Sequence, residues 1–120
     1  MKPYYTLDAD NAVQVAPNFD TWISWVRENH DHMEVAITAY PHCHIRTVFL
    51  GVESAGVETR PPSVFETVII GGPRDAQTIT AASWEQARQN HTQVCEAVAR
   101  DALDMDLAEF PALLRSSPWS

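Results

Sequence analysis

One strand–loop–strand unit constrains the fold more than anything else in this chain. Ile45-Arg46-Thr47-Val48-Phe49-Leu50-Gly51 is followed by a polar loop, then by Ser63-Val64-Phe65-Glu66-Thr67-Val68-Ile69-Ile70-Gly71-Gly72. Alternating β-branched and aromatic residues make both runs strands, and the glycines stop the second. The connection at residues 53–62 holds Gly56 and ends in Pro61-Pro62, which makes it the foremost loop for function. If Val48 lies opposite Val64, Arg46 falls opposite Glu66 on the same face. That register would explain a carboxylate inside an apolar strand.

The flanking segments extend this unit into an α+β domain. Residues 4–7 and 12–15 surround the polar cluster Asp8-Ala9-Asp10-Asn11, which predicts an N-terminal hairpin. Pro17-Asn18 ends it and offers a helix cap, after which Phe19, Trp22, Ile23 and Val26 recur at helical spacing. Residues 35–40 read as a strand that reverses at Pro41-His42-Cys43 into 44–52, with 63–70 as the third strand of a meander and 78–81 as a short edge strand. Ser83-Trp84-Glu85-Gln86 reads as a capping box. Behind it, Trp84, Ala87, His91, Val94, Cys95, Val98 and Ala102 share one helical stripe. The expected fold is a mostly antiparallel twisted sheet packed by two helices on one face. Residues 1–100 form the domain, and residues 101–120 an acidic helical extension and tail.

Charge narrows the partners. Sixteen carboxylates against eight basic residues give a net charge of −8. Such a surface repels nucleic acid and anionic lipid and favours proteins with basic surfaces. The apolar runs are far too short to span a membrane, and Lys2-Pro3-Tyr4-Tyr5 lacks the core of a secretory signal, so a cytoplasmic location is expected. Cys43 and Cys95 are distant in sequence and show no metal-type spacing, so reduced thiols are expected.

Catalytic constellations are weak. His42, Cys43 and His44 adjoin, and His91 and Cys95 lie one helical turn apart, so His42, His44, His91 and Cys95 are the candidate zinc ligands. Against this, His91 and Cys95 belong to the stripe that should bury on the sheet, where a neutral imidazole and a thiol are at home. A thiol nucleophile would need an electropositive setting that neither cysteine has. Gly71-Gly72-Pro73 lacks the phosphate-loop signatures and reads as a strand stop. No metal or cofactor is therefore expected, and an enzyme is the lesser reading. Carboxylates at Glu53, Glu58, Asp101, Asp104, Asp106 and Glu109, with Trp25 and Trp119 as anchors if exposed, are the candidate partner-binding residues; a half-buried structural place for Trp25 fits the pattern equally.

Thr47-Val48-Phe49-Leu50-Gly51, Phe65-Glu66-Thr67, Gly71-Gly72 and Trp84-Glu85-Gln86-Ala87 with His91 together resemble a family of small bacteriophage and prophage proteins without an established activity. The Tyr4-Tyr5-x-Leu7-Asp8 start and the tryptophan-bearing first helix also look like that family. The likeness spans roughly residues 3–98. Family members commonly continue Phe-Leu-Gly with a Leu-Asp-His type of sequence, whereas this chain has Val52-Glu53-Ser54, and residues 101–120 run past the usual family end. What the resemblance implies is a phage or mobile-element origin. With small size and acidity, it leads to an expected role in protein–protein binding, such as inhibition of a host-defence complex of the anti-CRISPR kind. The alternatives are a small zinc- or thiol-dependent enzyme and a self-associating phage accessory protein acting as a homodimer.

Overall fold

The computed structural model describes residues 3–54 and 60–108, with side chains as far as residue 103. Strands β1 (Tyr5–Leu7) and β2 (Val13–Val15) pair antiparallel as the expected N-terminal hairpin. Asp8 builds its turn, with Oδ1 accepting from the Asp10 amide at 2.8 Å and the Ala12 amide at 2.9 Å. Asn11 then adopts a φ of 63°, a left-handed conformation that a short polar side chain tolerates. Asn18 caps α1 (Phe19–Asn29), its Oδ1 accepting from the Thr21 amide at 2.8 Å. A 3-10 turn (His30–Met33) leads into the main sheet.

That sheet is an antiparallel meander of β3 (Glu34–Ala39), β4 (His44–Phe49), β5 (Phe65–Ile70) and β6 (Thr78–Ala81), in that order. The chain therefore has the α+β architecture expected, including the short edge strand. Helix α2 (Trp84–Ala108) lies across all four strands. Ser83 Oγ accepts from the Gln86 amide at 3.1 Å, and the Gln86 side chain reaches back to the Ala82 amide at 3.2 Å, one residue earlier than a strict capping box. The segment expected as an extension from residue 101 continues this helix without a break as far as Ala108.

Both helices meet the sheet, α2 across the four strands and α1 at one end, where it packs chiefly on β1. There the Trp22 indole donates to the Tyr5 carbonyl at 3.0 Å, and Trp25 meets Phe49 edge-on with ring centroids 5.7 Å apart. The reason lies in the aromatic content of the N-terminus. Tyr4, Phe19 and Trp22 form their own cluster, with centroids 4.7–5.8 Å apart, which draws α1 to the hairpin.

The strand register also differs. Val48 lies opposite Glu66 and Arg46 opposite Val68, a shift of one residue pair from the expected alignment. Arg46 instead reaches Glu34 on β3, with Nε 3.2 Å from Oε2. A shift by two residues leaves every side chain on its own face, so alternation alone could not detect it. The decisive features are the core pair of Phe49 and Phe65, directly opposed with centroids 5.1 Å apart, and the Leu50 amide bonded to the Val64 carbonyl at 2.7 Å.

Ile45, Thr47 and Phe49 of β4 and Phe65, Thr67 and Ile69 of β5 point toward α2 and are buried. Two apolar clusters result, one around Phe49, Val64, Phe65 and Ala87, the other around Ile45, Ile69 and Val98. Across the helix–sheet interface runs a polar chain. His91, only 6% exposed, has Nε2 2.9 Å from Thr38 Oγ1 and Nδ1 2.8 Å from Thr47 Oγ1, which lies 2.7 Å from Thr67 Oγ1. Asn90 adds a bond from Nδ2 to the Thr80 carbonyl at 3.4 Å. Among the described residues no buried side-chain nitrogen or oxygen lacks a partner, which is the condition for such a network to specify one packing.

Three outcomes follow from this packing. Thr47→Val removes a partner from both His91 and Thr67, so unfolding by denaturant should show a loss of about 1–3 kcal/mol. Gly51 has a φ of 75°, and a Cβ there would stand 2.9 Å from Trp22 Nε1. Gly51→Ala should therefore destabilise by at least about 1–2 kcal/mol in the same measurement. Burial pushes the His91 imidazole below its ordinary 6.5, so the unfolded chain takes up this proton at a higher pH than the folded chain does. The resulting stability is complete above about pH 6.5 and is lost as pH falls toward the folded-state value. Denaturation curves between neutral pH and about pH 5 should show that loss in the wild type and a shallower one in His91→Gln.

Candidate functional site

With α2 on one side, the other face of the sheet is left open. Register assigns to it Glu34, Ile37 and Ala39 of β3, His44, Arg46 and Val48 of β4, Glu66, Val68 and Ile70 of β5, and Thr78 and Thr80 of β6. Ile37 is 54% exposed and Ile70 39% exposed, while Val48 and Val68 are half-buried. No described element packs over these side chains. This face is therefore partly apolar.

Charge is placed unevenly on it. Arg46 is engaged by Glu34 across the β3–β4 pair. Glu66, half-buried beside Val48, has no ion-pair partner among the described residues. Where the face meets the 3-10 turn there is a solvent-open hollow of about 900 Å³, bordered by His30, Asp31, Glu34, Arg46 and Val48. Asp31 is fully exposed there, with Oδ1 3.4 Å from His30 Nδ1. The hollow and the adjoining strand rows thus offer three carboxylates against one guanidinium, set among aliphatic side chains.

Of the residues expected to bind a partner, Glu53, Asp101 and Trp25 fall elsewhere. Glu53 is held by Arg60, with Oε1 3.4 Å from Nη1, and its side chain is only 11% exposed. Asp101 takes a two-point contact from Arg74, through Nε and through Nη2 at 3.2 Å. Trp25 is half-buried against Phe49 and serves the core. Asp104 and Asp106 lie on α2 beyond the last described side chain, and Glu58, Glu109 and Trp119 lie outside the described residues. Of these positions, the described Glu53, Trp25 and Asp101 do not lie on the open face. The signal that could have found that face was the run Glu34-Val35-Ala36-Ile37-Thr38-Ala39, whose alternation exposes an isoleucine once β3 is recognised as an edge strand.

The candidate metal ligands are likewise dispersed by role. Both ring nitrogens of His91 face threonine hydroxyls, and His44 stands on the open face. Among the described residues, no three His, Cys, Asp or Glu side chains converge as a metal site would require. Gly71 and Gly72, at φ 93° and 74°, turn the chain tightly against Cys43, as expected of a strand stop. Among the described residues, no helix is long and apolar enough to cross a membrane. No family model, curated protein or solved structure matches the chain.

Proposed function

We propose that this protein acts by binding, and that the open face of its sheet docks a protein partner presenting lysine or arginine side chains among apolar ones. The observation that supports this best is the combination on one face of exposed Ile37 and Ile70 with the carboxylate of Glu66, which has no ion-pair partner among the described residues. An incoming cation would meet Glu66, with Asp31 at the rim, while the aliphatic side chains supply contact area. A net charge of −8 adds long-range attraction toward the same kind of partner.

The narrower form of this reading rests on the phage-family resemblance. In it, the partner is a host-defence assembly such as a CRISPR–Cas complex, whose basic nucleic-acid groove the acidic face would occupy. Self-association through the same face is the weaker reading, because two copies would bring Glu34 and Glu66 against their own kind. A zinc- or thiol-dependent activity finds little support, since His91 is committed to Thr38 and Thr47.

The test compares two sets of variants in a defended host and in direct binding to the purified defence complex. Wild-type protein should restore phage plaques, while Ile37→Asp and Glu66→Lys should abolish the effect and weaken binding by about tenfold or more. Binding should also fall with added salt. If the face variants retain full effect while reversal of Asp101, Asp104 and Asp106 removes it, the contact lies on the C-terminal acidic helix and the proposed face is wrong. If the wild type neither protects phage nor binds the complex, the defence-inhibitor form fails. A concentration-dependent dimer in sedimentation, lost in Ile37→Asp, would then replace it with self-association.

A further inference from the structure

Cys43 and Cys95, remote in sequence, are brought together by the fold. Cys43 sits in the β3–β4 turn and Cys95 on the inner stripe of α2, and both pack against the cluster of Ile45, Ile69 and Val98. Tyr40 spans the gap between them. Its amide donates to the Cys43 carbonyl at 2.8 Å, and its hydroxyl donates to the Cys95 carbonyl at 3.3 Å. One tyrosine therefore ties the turn to the helix at the two residues that carry sulfur. Burial first, then the nearby Cys95, push the Tyr40 hydroxyl above its ordinary value, which keeps it a donor. Both thiols are reduced and half-buried.

Access to the pair is one-sided. A narrow cleft bordered by His42, Gly71, Pro73, Arg74 and Asp101 reaches Cys43. Cys95 is not part of its lining. A Cβ at Gly71 would stand 2.8 Å from the His42 carbonyl oxygen, so the glycine lets the chain pass close beside Cys43.

We propose that Cys43 and Cys95 are a dithiol pair that a peroxide converts to an intramolecular disulfide, stapling α2 to the β3–β4 turn. Cys43, reached through the cleft, attacks one peroxide oxygen as the thiolate. The O–O bond breaks, hydroxide leaves and a sulfenic acid forms. The Cys95 thiolate then attacks that sulfur, the S–S bond forms and the S–O bond breaks, releasing a second hydroxide. Two thiols lose two protons and two electrons, and the peroxide is reduced to two waters. Burial holds the Cys43 thiol above its ordinary value, with Cys95 adding to the shift, so little thiolate is present at neutral pH. The pair is thus slow to oxidise and suits a stabilising staple better than a rapid sensor. Because the closed loop is long, the bond restricts the unfolded chain strongly.

The full-length protein, treated with excess hydrogen peroxide, quenched and alkylated under denaturing conditions, tests the pair directly. Intact mass should show the loss of two hydrogens with no thiol left to alkylate. The product should run as a monomer on a non-reducing gel. Its Tm should rise, and dithiothreitol should return both mass and Tm to their starting values. Two thiols that still alkylate fully, oxygen adducts without loss of hydrogen, or a disulfide-linked dimer would each overturn the proposal. Cys43→Ser and Cys95→Ser serve as controls in which the Tm gain must be absent.

Discussion

The hydrogen-bonded burial of His91 between Thr38, Thr47 and Thr67 is the interaction on which the rest of the structure depends. It joins three strands to one helix at a single buried point. Apolar packing alone would let α2 slide or rotate along the sheet, because Ala87, Val94, Val98 and Ala102 are small and form an even surface. An imidazole with both nitrogens engaged has one position in which no polar atom is stranded. Any slippage would leave a buried donor or acceptor unpaired, a penalty comparable with a large share of a small domain's stability.

Pinning α2 there decides which surface remains available. The helix shields Ile45, Thr47, Phe49, Phe65, Thr67 and Ile69, and α1 is drawn away to the hairpin by Tyr4, Phe19 and Trp22. No described element packs over the opposite rows of the sheet. Ile37, on an edge strand, is more than half exposed among the described residues. The Glu34–Arg46 pair beside it blunts that edge against indiscriminate strand pairing, which allows an apolar patch to persist without becoming an aggregation site.

Much of this architecture was legible in the chain because each element carries its own local chemistry. Asn18 and Ser83 mark helix starts, Asp8 and Asn11 a hairpin turn, and the Gly71-Gly72 pair a strand stop. Pairwise facts between elements were not legible. The register of β4 on β5 is invisible to a two-residue period, so Arg46 was matched with Glu66 when its partner is Glu34. Trp25 fell at the flank of its helix, and only the location of Phe49 shows which side is covered. The proximity of Cys43 to Cys95 depends on how α2 lies across the β3–β4 turn, which no spacing in the sequence encodes.

Net charge was the most misleading of the legible features, because a count of carboxylates says nothing about which are free. Of the eight cations, Arg46, Arg60 and Arg74 are engaged by Glu34, Glu53 and Asp101. Two of the carboxylates singled out for partner binding, Glu53 and Asp101, are thereby neutralised locally. An arriving basic side chain would have to displace a guanidinium already in place, so the net gain from such an exchange is small. Glu66 differs in kind. It is half-buried beside Val48 and forms no ion pair among the described residues, so a partner's guanidinium would meet a carboxylate already partly stripped of water. Screening is weaker there and the interaction correspondingly stronger. Position within the sheet, rather than abundance of negative charge, is therefore what sets Glu66 at the centre of the proposed interface.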